Sequence, residues 1–149
     1  MRSPGHDTSA VEERKLGLWL RYAHLVIGVA GLFTFLYTGR YMLRHFPAAY
    51  REHQEIRFLY RANHLYIMFA SVLNLVLGRS VRIEASGRWR GTLMPVSSVA
   101  ILLAVPVLIA AFYLEPPLAG TIRRTTLLGC VLVFAGGVLR AILMSPRRD

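Results

Sequence analysis

The stretch LMPVSSVAILLAVPVLIAAFYL, residues 93–114, runs for 22 positions without one charged side chain. A helix needs about 20 apolar residues to cross the hydrocarbon core of a bilayer, where only helices and closed barrels satisfy every backbone group. Three more apolar stretches flank it: LGLWLRYAHLVIGVAGLFTFLYTG (16–39), FLYRANHLYIMFASVLNLVLG (58–78) and TIRRTTLLGCVLVFAGGVLRAILM (121–144). The expected fold is therefore an all-α integral membrane protein. Its four transmembrane helices form an antiparallel bundle within a single domain, 1–149.

Composition agrees. A chain of 149 residues that is 54% hydrophobic has more apolar surface than a small soluble domain can bury. Of the 18 basic residues 17 are arginine, and the net charge is +10. Most of these arginines stand at the ends of the apolar runs, where they suit the anionic headgroups of the lipid bilayer and not nucleic acid. The single cysteine, Cys130, excludes an intrachain disulfide, a zinc cluster and a c-type haem attachment. Residues 1–15 carry Asp7, Glu12 and Glu13 and no apolar core, so they read as a polar leader and not as a cleaved signal.

Punctuation sets the expected boundaries. Ser9 and Glu12 have capping-box spacing ahead of helix 1, which continues to about His45 before Pro47 stops it. Ala48–Arg57 is charged and amphipathic and leads into helix 2 without a turn signal, so helices 1 and 2 form a long hairpin whose tip protrudes from the bilayer. Gly78 ends helix 2. Val81–Trp89 alternates around Ser86-Gly87 as a short interfacial β-hairpin, with Trp89 as anchor. Helix 3 carries Pro95 and a kink at Pro106, and Glu115-Pro116-Pro117 ends it. Thr121 caps helix 4, and Ser145-Pro146 closes it. Eleven basic residues fall on the side of the termini and seven on the other, which puts both termini in the cytoplasm.

Ionisable groups inside apolar spans mark the places for chemistry. Helix 1 carries Arg21 and His24 in register with Gly28, Gly31, Phe35 and Thr38. Helix 2 carries Arg57, Arg61 and His64 in register with Met68, Ser71 and Asn74, and helix 4 carries Gly129, Val133, Gly136, Gly137 and Arg140. The glycines, the serines and Asn74 are expected to pack and hydrogen-bond between helices. The candidate cofactor-binding residues are His24, Arg21, Arg140, His64 and Arg61. A cavity bounded by Gly28, Gly31 and the helix-4 glycines would admit a flat ring, with Arg21 and Arg140 pairing its carboxylates. In a hairpin turning near Pro47, His24 faces a residue near 70. His64 then lies about 9 Å away along the axis at 1.5 Å per residue, too far for two ligands of one iron. His45 and His53, with Glu52 and Glu55, are expected to be solvated loop residues and not a metal site. No carboxylate lies mid-span for a proton relay, and no Walker loop, GxSxG, HExxH or CxxC occurs.

Trp19-Leu20-Arg21-Tyr22-Ala23-His24-Leu25-Val26, followed by Tyr37, Arg40 and His45, resembles the first helix of the HemJ-type protoporphyrinogen oxidase family. These are small four-helix bacterial membrane proteins that begin W-L-K-x-x-H. Arg57-Phe58 and Leu65-Tyr66 are similar to the start of that family's second helix, with His64 where the family has lysine. The likeness spans about residues 19–66. The family's W-F-A-G segment is Gly31-Leu32-Phe33-Thr34 here, and its T-P-G is Phe69-Ala70-Ser71. The resemblance implies a bacterial inner-membrane bundle that binds haem b or a porphyrin and oxidises a tetrapyrrole, with His24 as ligand to the haem iron. Two other classes fit the residues: a small transport or channel bundle, from the Pro106 kink and the polar stripes, and a non-catalytic assembly or lipid-binding subunit, from the protruding hairpin. A homo-oligomer or a larger membrane complex accommodates any of the three.

Overall fold

A computed structural model of the chain describes residues 5–49, 54–80, 88–115 and 122–145. They form four helices: α1 (Gly5–Ala49), α2 (Gln54–Ser80), α3 (Arg88–Leu114) and α4 (Arg124–Met144), with no strand among the described residues. Three contain a segment long and apolar enough to cross a membrane: Arg14–His45, Gly91–Leu114 and Arg124–Met144. In α2, arginine, asparagine and histidine interrupt the apolar run, as Arg57, Arg61, Asn63, His64 and Asn74.

Several boundaries differ from the sequence expectation. α1 is already helical at Gly5, so Ser9 lies inside it, and it passes Pro47 to reach Ala49. A proline forfeits its own N–H bond and crowds the preceding turn, which leaves room for a short run-out beyond it. Gly78 does not stop α2. A Cβ there would meet Leu25 Cγ at 2.7 Å, so this glycine serves as a crossing point between helices. Arg88 and Trp89 open α3 instead of closing a β-hairpin, and the rest of that hairpin, residues 81–87, lies outside the described residues. So do residues 50–53 of the protruding tip and Thr121.

α1 packs chiefly on α2, and α3 chiefly on α4. α2 and α3 join the two pairs, α1 also touches α3, and α1 and α4 make no contact among the described residues. Small residues set the register. Leu25 meets Gly78, Gly28 meets Leu75, Gly31 meets Ser71 and Gly39 meets His64, so numbers rise along α1 as they fall along α2. Gly129 meets Leu108, and Gly136 meets Ile101 and the Ser97 carbonyl in the same descending order. Ile67 and Ala70 of α2, Ala104, Val105, Leu108 and Phe112 of α3, and Val133 of α4 make the buried core. The outer face is apolar as well: Val26, Phe33, Leu36, Phe58 and Ile142 are each more than 60% exposed.

This packing overturns the flat cavity between the glycines. A Cβ on Gly28 would lie 2.8 Å from Leu75, one on Gly31 would collide with Ser71 and Val105, and one on Gly136 would lie 2.8 Å from Ile101. The glycines are spent on helix contact, and His24 Nε2 on α1 and Arg140 Nε on α4 are both shut off from water.

Candidate functional site

The polar interior gathers at one end of the bundle. His24 is fully buried, and its Nδ1 lies 2.7 Å from Asn74 Oδ1 on α2. The contacts of Leu25 with Gly78 and of Gly28 with Leu75 adjoin this pair in sequence and hold the two helices close enough to meet. Asn74 donates through Nδ2 to the Ala70 carbonyl at 2.8 Å and to the Ile101 carbonyl of α3 at 3.2 Å. Its amide nitrogen is therefore committed, its Oδ1 can only accept, and His24 Nδ1 must carry the proton. In the neutral ring Nε2 is then a bare lone pair. That atom is buried and has no hydrogen-bond partner. A ring nitrogen left bare by a proton fixed on its neighbour is the arrangement a metal-ligating or proton-accepting histidine requires.

Arg140 reaches the same region from α4. Gly136 seats α4 against Ser97 and Ile101, and one turn later the Arg140 guanidinium lies within electrostatic range of His24. Arg140 is 3% exposed. Its Nη1 donates to the Met94 carbonyl and to Ser98 Oγ, both at 3.4 Å, while its buried Nε has no partner. A guanidinium offers five N–H donors, and Nε is the one nitrogen of this group that is buried without a partner among the described residues.

The other three candidates go elsewhere. Arg21 is exposed, one turn from His24 on the outer face of α1. His64 is half-buried at the opposite end of the hairpin, where its Nδ1 meets Thr38 Oγ1 at 2.9 Å and its ring stacks on Phe35 with centroids 4.0 Å apart. Thr38 gives its own proton to the Phe35 carbonyl, so it accepts from His64. Arg61 is exposed at that end. The pairs His24–Asn74 and Thr38–His64 place the two imidazoles 14 residues apart along α1, about 21 Å at 1.5 Å per residue. This replaces the 9 Å expected from a turn at Pro47, since the hairpin register is set four residues later. They belong to separate sites. His45 is exposed, its Nδ1 2.9 Å from the Tyr41 carbonyl, and His53 and Glu52 lie outside the described residues. Among the described residues no cluster of three or more His, Cys, Asp or Glu could hold a metal ion.

Two residues matter that spacing alone did not single out. Asn63 is fully buried with neither amide atom partnered. Glu115 closes the far end of the α3–α4 pair: it accepts from the Thr125 N–H, from the Thr126 N–H at 3.2 Å and from Thr126 Oγ1 at 2.6 Å, and it pairs with Arg123 Nε at 3.4 Å. Arg123, the N-cap residue, makes no side-chain cap itself, so Glu115 caps α4 from the end of the preceding helix. Burial pushes the Glu115 carboxyl up, but the hydrogen bonds from Thr126 and Thr125 outweigh it and hold the group below its ordinary value.

No protein-family model, curated protein or solved structure matches this chain.

Proposed function

We propose that the chain is an antiparallel four-span bundle of a bacterial inner membrane, both termini cytoplasmic, and that it is a haem- or porphyrin-associated redox protein oxidising a tetrapyrrole. Four spans are supported by α2 itself. Its polar residues Asn63, Ser71 and Asn74 are buried, while Phe58, Leu65, Phe69, Val72 and Val76 are exposed and suit lipid. Depth is supported by exposed aromatics on α1: Trp19 and Tyr22 at one level, and Tyr37 and Tyr41 about 28 Å further along at 1.5 Å per residue. That separation matches a hydrocarbon core of about 30 Å with aromatic belts at both edges.

The redox reading is carried by the bare, buried Nε2 of His24. The donors match the group in kind, a neutral imidazole for the iron or for a pyrrole N–H with a buried cation in electrostatic range, but they are packed closed, so the helices must part for a flat ring to reach them. A bound haem or porphyrin would supply the electron chemistry. Asn74 holds the imidazole proton on Nδ1 and so keeps Nε2 as the acceptor. Leu20, which is 1% exposed, and Leu77, which is 5% exposed, limit the access of water to this end of the bundle. The test is the absorption spectrum of the detergent-purified protein, oxidised and then reduced, before and after supplying haem. A Soret band that His24→Ala removes is expected. Its absence from the wild type after haem is supplied would rule out the haem form of the proposal.

One observation favours a lipid-binding subunit as a second reading. Tyr37, Arg40, Tyr41, Arg44 and His45 line a surface recess at the outer aromatic belt, with the Tyr41 and His45 rings stacked at 4.3 Å. Two arginines one turn apart suit a headgroup phosphate. Anionic lipid that co-purifies with the wild type and is lost in the double variant Arg40→Ala, Arg44→Ala would support it.

A further inference from the structure

We infer that the recess near the far end of α1 selects a membrane lipid whose headgroup is a phosphomonoester, a bare terminal phosphate, over the phosphodiester lipids around it. This rests on the lipid-binding reading and names the headgroup that the same recess takes. Tyr37, Arg40, Tyr41, Arg44 and His45, all on successive turns of one helix, enclose a volume of about 80 Å³. One water needs roughly 15 Å³, so the opening admits a group of several heavy atoms. Tyr37 and Tyr41 are exposed at the outer aromatic belt. Arg40, Arg44 and His45 are exposed beside and just beyond it, at the level of headgroup phosphates. Tyr113 of α3 stands within electrostatic range of Tyr37 and Tyr41, which ties the recess to the neighbouring helix.

Charge draws a phosphate to this place. Arg40 and Arg44 are one turn apart on the same face, where like charges repel, and α1 carries no acid between Glu13 and its last residue, Ala49. An anion shared by the two guanidinia turns that repulsion into two attractions, and a phosphate presents oxygens to both. A diester phosphate brings one negative charge, whereas a monoester brings about 1.5 to 2 near neutral pH, because its second ionisation lies near 6. His45 adds a second distinction. Its Nδ1 lies 2.9 Å from the Tyr41 carbonyl, which can only accept, so Nδ1 carries a proton. The ring is held stacked on Tyr41 at 4.3 Å, and Nε2 is its other hydrogen-bonding atom. With a monoester this contact forms from either side: an imidazolium donates Nε2–H to a phosphate oxygen, or the P–OH of the singly charged monoester donates to a neutral Nε2. A diester has no O–H and makes the contact only with an imidazolium. The arginines attract either lipid, and the histidine favours the one that carries its own proton.

Full-length protein in detergent is titrated with dioleoyl phosphatidic acid and, separately, with dioleoyl phosphatidylglycerol, and bound lipid is counted by native mass spectrometry. Phosphatidic acid should bind about tenfold tighter, the scale of one hydrogen bond to a charged group. His45→Phe keeps a ring to stack on Tyr41 and should remove most of that preference while leaving phosphatidylglycerol binding unchanged. The double variant Arg40→Ala, Arg44→Ala should weaken both lipids. All three side chains are exposed, so their replacement leaves the buried core untouched. Equal affinity of the wild type for the two lipids, or a preference that His45→Phe leaves intact, overturns the inference while lipid binding through the arginines stands. Displacement of phosphatidic acid by millimolar inorganic phosphate assigns the recess to the soluble ion and overturns the inference in its lipid form. Failure of both lipids to bind, or undiminished binding in the double variant, defeats the inference and the lipid-binding reading together.

Discussion

The α3–α4 pair has an arginine near each end, Arg123 with 10% of its side chain exposed and Arg140 at 3%, and the two meet different partners. At one end Arg123 meets Glu115, whose two oxygens also take the first N–H groups of α4, so charge and cap are settled within the chain. At the other end Arg140 is more deeply enclosed, and the acceptors it meets among the described residues, the Met94 carbonyl and Ser98 Oγ, are neutral. The arginine that precedes α4 is thus closed by an acid within the chain, and the one in its last turns is left open to neutral groups among the described residues. What separates them is the acid: a pair completed inside the fold offsets its own desolvation, whereas a guanidinium facing neutral acceptors does so only in part.

That contrast can be broken most forcefully at the closed end. Glu115→Ala leaves the partly buried Arg123 with the Leu59 carbonyl and uncaps α4, and should lower stability by about 2 kcal/mol, read as the unfolding midpoint in detergent. The same clamp gives a pH dependence. The carboxyl is held below its ordinary value, so its contribution is present in full above the usual carboxylate range and fades as pH falls through the folded-state pKa; Glu115→Gln should flatten that acid limb. An unchanged midpoint in Glu115→Ala would show that the clamp is idle.

At the open end the sign reverses. Arg140→Gln should leave the protein as stable or more stable, by about 1 kcal/mol, because it removes a buried charge whose described acceptors are neutral. A large loss of stability there would place Arg140 among structural pairs and erase the contrast. Asn74→Ala frees His24 Nδ1 and should weaken tetrapyrrole affinity about tenfold, the usual effect of removing the group that orients a ligating histidine. The smallest effect belongs to the glycines. Gly91 has nothing within 4 Å of an added Cβ, so Gly91→Ala should gain about 1 kcal/mol of helix propensity, whereas Gly28→Ala must push Leu75 aside and should lose stability.

The legible parts of this molecule were the ones governed by local chemistry. Long apolar runs between arginines marked where four helices stand, and Glu115-Pro116-Pro117 marked the end of α3 at Leu114. Turn signals misled where packing overrode them. Gly78 reads as a stop and is a point of helix contact, and Pro47 reads as a break and is followed by two more helical residues. Among the candidate site residues, His24, Arg21, His64, Arg61 and Arg140 all look alike as ionisable groups near helix ends. Spacing alone could not divide them into two buried near each other, two exposed and one about 21 Å further along the α1–α2 contact.

From its residues alone this chain must be helical, apolar-faced and arginine-rimmed, because hydrogen bonding in lipid and the cost of charge there are properties of composition and periodicity. Which imidazole carries its proton where, and which guanidinium meets an acid, are decided by the rotation and register of four helices relative to one another. Those depend on contacts such as Gly28 with Leu75 and Gly136 with Ile101, between residues 47 and 35 positions apart, and short-range pattern carries no information over that distance.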